Sequence, residues 1–331
     1  MTLDRTPLVS VVTPVYNGES CLRECIESVL SQTYTNWDYT IVNNCSTDRT
    51  LNTAQEYAAK DPRIRIHNNE TFVRVIENHN IAFRQILPES KFCKVVSGDD
   101  WLFPNCLEEM VGLAEQYPTV AIVGAYRLQG SKVAGDGLPY PSNFVPGGRE
   151  ACRLRLLGGD YVFGSPTSVL YRSDIVRSRH AFYNESNIHA DAEACLEFLG
   201  HHDFGFVHQV LTFTRLQGDS LTSVSKELNT YLVGVLHELL AYGDKYLSEE
   251  ELVRMMSLRL KYYYKYLGKQ IYRQRGRDFW TFHRTQLARL GYSLSTARVA
   301  AAAISYALDI ALNPKATTEE VARRIIRRLS R

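Results

Sequence analysis

The first 125 residues alternate short apolar, β-branched runs with segments of helical pattern, and this constrains the chain more than any other feature. The runs are LVSVVT (8–13), YTIVNN (39–44), RIRIH (63–67), FCKVVS (92–97) and TVAIVGA (119–125). Strands that alternate with helices are joined by crossovers, so a mostly parallel sheet covered by helices is expected. Between the first two runs, Leu22, Ile26, Val29 and Leu30 share one helical face. Ser46 or Asp48 suits the N-cap of the next helix, and Pro104 the first turn of another. In open parallel sheets ligands bind beyond the carboxyl ends of the strands, and TPVYNG, NNCSTD and SGDD all fall there.

Downstream the pattern changes. Residues 126–165 are rich in Gly and Pro and read as a long surface loop with a short helix. TSVLYR, a helical HADAEACLEFLG and a strand or hairpin FGFVHQVLTFTR follow. Beyond about residue 226 the pattern is helical: one helix ends at Gly243, Ser248 with Glu251 has capping-box spacing, and Thr317 with Glu320 repeats it. Charge divides at the same place. Residues 226–331 carry 19 Lys+Arg against 10 Asp+Glu, whereas residues 1–225 carry 19 against 26. Seven scattered cysteines without a Cys-x-x-Cys pair argue against a zinc site or disulfide framework and imply a reducing, cytoplasmic setting. No signal-peptide pattern and no run of about 18 apolar residues is present, so neither secretion nor membrane spanning is expected.

Neither G-x-G-x-x-G after the first strand nor a Walker-type glycine loop occurs, so the usual backbone phosphate cradles are missing. A bound phosphate would then need a divalent cation held by carboxylates. Asp99 and Asp100, adjacent at the end of an apolar strand, are placed for that role, although such a pair in a turn is more often a solvated cap.

VSVVTPVYNGESCLRECIESVLSQTYTNWDYTIVNNCSTDRT, followed about fifty residues later by SGDDWLFP, resembles the nucleotide-binding half of glycosyltransferase family 2, inverting enzymes of the GT-A fold. The likeness is strong over residues 7–125 and weaker over 126–225. It implies a GT-A, Rossmann-like α/β domain over 1–225, with 1–125 binding nucleotide and 126–225 binding acceptor, and a helical region over 226–331. It implies that Pro14, Tyr16 and Asn17 hold the base and ribose of a nucleotide sugar, most simply a UDP-sugar. Asn43 stands where the family has an acidic partner for uracil, and Arg74 where it has a base- or phosphate-contacting cation. Asp100 would be the principal ligand of Mn²⁺ or Mg²⁺, and Asp99 would share the metal or face the ribose. Ser97 replaces the family's outer acid. Asp191 falls at the position of the catalytic base, with His189, which would orient the acceptor, and Glu193 as competitors for that role. Arg215 would meet the diphosphate, Gln217 stands where a metal-binding His is usual, and Trp101 would wall the acceptor.

The last stretch, EEVARRIIRRLSR, sets Val321, Ile325, Ile326 and Leu329 on one stripe with arginines elsewhere. Packing on its own domain, a homo-oligomer contact and a peripheral membrane contact are all open to it. A saccharide or lipid-linked saccharide acceptor is expected, and no nucleic acid. A nucleotidyltransferase and a non-catalytic sugar-nucleotide or glycan-binding module are the competing readings; donor sugar and linkage are not legible.

Overall fold

A computed structural model describes residues 6–134, 144–145, 147–159, 161–216, 225 and 227–313, the side chains of 144 and 145 excepted. Contacts divide the chain into two compact units, Met1–Ser220 with Lys245–Leu247, and Leu221–Asp244 with Ser248–Arg331.

In the first unit the predicted alternation takes form as β1 (Val9–Val15), α1 (Leu22–Leu30), β2 (Trp37–Asn43), α2 (Thr50–Ala58), β3 (Ile64–Asn68), α3 (Val75–Phe83), β4 (Phe92–Val95), β5 (Trp101–Leu102) and α4 (Cys106–Gln116). Then come β6 (Val120–Gln129), β7 (Lys132–Ala134), β8 (Phe144–Val145), α5 (Arg149–Leu156), a 3₁₀ turn (Pro166–Ser168), β9 (Val169–Arg172), α6 (Ser173–Arg177), α7 (Ala190–Phe198) and β10 (Asp203–Thr214). The main sheet order is β3-β2-β1-β4-β9-β6-β10-β5. Pairing is parallel from β3 to β4 and between β6 and β10; β9 runs antiparallel between those two blocks. β1 and β2 are buried at every position, and polar side chains among them are bonded inside the core, Ser10 to Asp38 at 2.6 Å and Thr13 to Tyr39 at 2.9 Å. Leu22, Cys25, Ile26 and Val29 of α1, with Leu107, Met110 and Val111 of α4, pack on the sheet in one core.

Several local expectations are revised. The region after residue 125 is less loop-like than its composition suggests, because β6 continues to Gln129 and pairs with β7. Ser46 does not cap α2; its hydroxyl accepts the N–H of Asn17 (3.0 Å), while Asp48 Oδ1 accepts that of Thr50 (3.0 Å). Pro104 lies two residues ahead of α4, whose N-cap is Asn105.

The second unit is helical: α8 (Thr230–Tyr246), whose last two residues count with the first unit, α9 (Glu249–Ile271), α10 (Arg277–Arg289) and α11 (Thr296–Leu312). α8 continues past Gly243, so that glycine is not a terminator here. The Ser248–Glu251 capping box forms as expected, with Ser248 Oγ taking the Glu251 N–H at 3.2 Å and Glu251 Oε2 taking the Ser248 N–H at 3.0 Å. Leu236, Tyr263, Leu267, Phe279 and Leu287 form the core of this unit. α9 and α11 nearly touch at Gly268, where a Cβ would come within 2.7 Å of the Ala302–Ala303 backbone. His283 is fully buried, its Nδ1 2.6 Å from the Tyr263 hydroxyl, and burial lowers its pKa to about 4. Among the described residues no helix is long and apolar enough to cross a membrane. The stretch from Thr317, with Glu320 and its arginines, lies outside the described residues.

Candidate active site

Three loops meet where β2, β1 and β4 end side by side. The first follows β1. Pro14 is buried inside that strand, paired with Val42, and not in the turn where the family pattern puts it. Tyr16 is exposed and meets the equally exposed Phe72 edge-on, ring centroids 4.8 Å apart. Asn17 adopts a left-handed backbone (φ 48°), a conformation its short polar side chain tolerates, and its Oδ1 accepts the Thr47 N–H at 2.8 Å. The first and second loops are thereby tied together.

The second loop is organised by asparagines. Asn43 donates to Asn68 Oδ1 (3.1 Å) and accepts the Ser46 N–H (3.2 Å). One lone pair of its oxygen is thus left for a base, against the two oxygens an acid would offer. Asn44 grips the Val73 backbone from both sides, Nδ2 to the carbonyl at 2.9 Å and Oδ1 from the N–H at 3.0 Å. Through this grip the end of β2 places Phe72. Arg74, next in the chain, is exposed at the N-cap of α3; its carbonyl accepts the Asn78 N–H at 2.9 Å, and its guanidinium makes no hydrogen bond or ion pair among the described residues.

The third loop carries the acids. A Cβ on Gly98 would lie 2.7 Å from Val15 Cγ2, so only glycine lets the SGDD loop settle on the end of β1. Asp100, 5% exposed, accepts the Thr167 hydroxyl on Oδ2 (2.6 Å) and the Arg215 N–H on Oδ1 (3.0 Å). Burial, reinforced by the charge of Asp99, nevertheless pushes its carboxyl up to about 7. Burial raises Asp99 as well. Thr167 is itself fixed: its hydroxyl receives the Ser97 N–H at 3.1 Å, and its carbonyl takes the Nζ of Lys94 at 2.6 Å. Lys94 is wholly buried, bonds the Val169 carbonyl as well (3.1 Å), and is lowered in pKa by burial. Ser97 therefore serves the support of Asp100.

Arg215 Nε reaches the Asp99 carbonyl (3.2 Å), and its terminal nitrogen pairs with Glu24. The guanidinium also lies 5.2 Å from the Trp101 ring centroid. Trp101 stacks on Phe213 at 3.6 Å and 5°, so one face of the proposed acceptor wall is already covered.

Asp191 stands in the first turn of α7, with His189 at the N-cap. Burial raises Asp191, and the charges of His189 and Arg127, with nearby backbone amides, offset this in part. Glu193, a competitor for the base role in sequence, is a brace instead. Its carboxylate accepts both Asn184 (3.1 Å) and Asn187 (2.7 Å), holding the loop ahead of α7.

Gln217 lies outside the described residues. Among the described residues no three His, Cys, Asp or Glu side chains cluster as a closed metal cage. Two adjacent acids just beyond a strand end, Asp100 buried and Asp99 half-buried, fit a hard cation that takes its remaining ligands from phosphate and water. Phe72, Thr167 and Arg127 belong to the site and escaped the sequence reading, because each reaches it through tertiary contacts and sits in no motif.

Compared with known proteins, residues 10–179 match the family described as Glycosyl transferase family 2. The putative glycosyltransferase EpsE of Bacillus subtilis is 37% identical over 123 residues, 37% of this chain and 44% of that protein. Glycosyltransferase GlyG of Streptococcus pneumoniae is 25% identical over 200 residues, 55% of this chain and 64% of that protein. The chain thus spans less than two thirds of the length of these curated relatives. Among solved structures, S. aureus TarS 1-349 in complex with UDP-GlcNAc superposes with a TM-score of 0.61 at 17% identity, covering 85% of this chain and 80% of that one. Mannosyltransferase PcManGT from Pyrobaculum calidifontis, in complex with GDP-Man and Mn²⁺, gives 0.54 at 12% identity, covering 93% and 81%. The shared architecture is the GT-A fold.

Proposed function

The chain belongs to glycosyl transferase family 2, and from that premise we propose that it is a metal-dependent, inverting glycosyltransferase using a nucleoside diphosphate sugar, most simply a UDP-sugar. The acceptor in this reading is a saccharide or lipid-linked saccharide of surface glycan synthesis, handled at the cytoplasmic face of the membrane. The likeness to TarS with UDP-GlcNAc and to PcManGT with GDP-Man and Mn²⁺ supports the class of donor and the use of a divalent ion.

Asp100 and Asp99 would hold Mn²⁺ or Mg²⁺, which when bound neutralises the diphosphate and the charge growing on the departing nucleotide. Tyr16 and Phe72 offer an aromatic corner against which a base can pack. Arg215, paired with Glu24 and bonded to the Asp99 carbonyl, supplies a cation for the diphosphate. Asp191 takes the proton of the acceptor hydroxyl as it attacks the anomeric carbon; its raised pKa makes it a stronger base than an exposed aspartate. The observation that supports this reading best is the SGDD loop itself, in which the Thr167 hydroxyl and the Arg215 N–H hold Asp100 beside Asp99 just beyond the end of β4.

Asp191→Asn should lower turnover by roughly a thousandfold or more while leaving donor affinity near that of the wild type. Sugar transfer by Asp191→Asn at the wild-type rate would refute the assignment of the base.

A further inference from the structure

Beside the acids stands a cation with no task in the chemistry above. Arg127 of β6 has its Nε and Nη1 shut off from solvent, and neither has a hydrogen-bond partner among the described residues. It forms no ion pair there either. Thr212 of β10 pairs with Arg127 across the ladder, and Thr214 lies two residues further along the same face. Both threonine hydroxyls are buried and equally without partners. A third segment comes near the guanidinium: a Cβ on Gly164 would lie 3.8 Å from Arg127 Nη1, just ahead of the 3₁₀ turn that carries Thr167. A guanidinium and two hydroxyls, all with unmet bonds among the described residues, therefore lie together on neighbouring strands. Native proteins seldom leave such groups orphaned, and a guanidinium cannot shed its proton to escape the cost.

Asp100 and Asp191 already feel the charge of Arg127, yet neither comes close enough to bond it. What these groups lack is an acceptor that touches them, and an oxyanion gives a guanidinium charge-assisted bonds that no neutral group matches. The diphosphate is served elsewhere, by the Asp99–Asp100 site and Arg215, so this oxyanion is a different one. We propose that Arg127, with Thr212 and Thr214, binds an oxyanion carried by the saccharide handled at this site, a uronic-acid carboxylate being the simplest case. The proposal rests on the glycosyl-transfer reading and adds to it a substrate class, acidic rather than neutral sugars. The anion reaches Arg127 either on the donor sugar or on the acceptor residue next to the new bond.

Calorimetric titration of the full chain with Mn²⁺ separates these cases. In the donor case the wild type binds UDP-glucuronic acid at least about tenfold more tightly than UDP-glucose, and Arg127→Met brings that ratio to about one. In the acceptor case the donor ratio is flat. A glucuronic acid-containing oligosaccharide added with UDP then binds at least about tenfold more tightly than its neutral counterpart, and Arg127→Met removes the preference. If Arg127→Met does not fold, Arg127→Lys, which keeps the charge but loses the separate donors of the guanidinium, should narrow the same ratio. Flat ratios for donor and acceptor alike in the wild type would overturn the proposal and leave Arg127 as a counter-charge for the acids. Failure of UDP itself to bind would instead overturn the nucleotide-sugar reading.

Discussion

Asp100 is bonded on both oxygens, yet its carboxyl titrates near 7 because burial and the neighbouring Asp99 outweigh those bonds. Its proton is held more tightly in the folded chain than in the unfolded one, where an aspartate titrates at about 3.9. The stabilisation linked to that proton is therefore full below about pH 4 and is lost as pH rises through about 7. Removing the charge should relieve the free protein: Asp100→Asn is expected to unfold a few degrees above the wild type at pH 8, with the advantage gone by pH 4. Thermal unfolding across that range checks this, and an equal loss of stability at both ends would contradict it. Protons and a divalent cation compete for the same carboxylate, so affinity for the cation should rise between pH 6 and 8. Asp100 and its glycine were legible in sequence because SGDD stands at a strand end. Arg127 and Thr167 were not. Their roles depend on which strands become neighbours, and no local pattern encodes that.

At the level of elements, β1 and β2 were readable because they are buried at every position and so carry apolar residues on both faces. The antiparallel insertion of β9 was not, since four residues of a buried strand look the same in either direction. It is fixed instead by tertiary contacts, among them the bonds from Lys94 to the carbonyls of Thr167 and Val169. The Asn43–Asn44 pair has a second task that its motif does not announce: these amides lock the loops after β2 and β3 together. In the helical unit, α9 and α10 meet at the Tyr263–His283 bond. His283 is kept neutral, with its pKa down at about 4, while the unfolded chain protonates near 6.5. Stability from this group is full above about 6.5 and falls away as pH drops toward 4, by up to roughly 3 kcal/mol. His283→Gln retains an acceptor for the Tyr263 hydroxyl but does not titrate. Urea unfolding at pH 7 and pH 4.5 should show the wild type losing more stability than this variant over the interval; equal losses would show that His283 does not set the acid sensitivity.

For the whole molecule, the sequence boundary near residue 225 and the contact division differ in an instructive way. Lys245–Leu247 return to the first unit: Tyr246 is buried, its hydroxyl bonds the Leu196 carbonyl, and Arg153 reaches the Tyr246 carbonyl at 3.4 Å. A chain cut at 225 loses that anchor beneath α7, the helix that presents Asp191. It should melt well below the intact protein, by more than Tyr246→Phe does, since the latter removes one hydrogen bond worth about 1 kcal/mol. Equal melting of the truncated and intact chains would make residues 1–225 a self-sufficient domain. The central claim, that Asp99 and Asp100 form a metal-dependent site for a nucleoside diphosphate sugar, is tested most directly by calorimetric titration of the full chain with UDP at pH 7.5, with and without Mn²⁺. Binding that weakens at least about tenfold when Mn²⁺ is withdrawn, and equally when Asp100→Asn replaces the wild type, is the predicted result. UDP binding of the same strength with and without the metal, in both proteins, would contradict it.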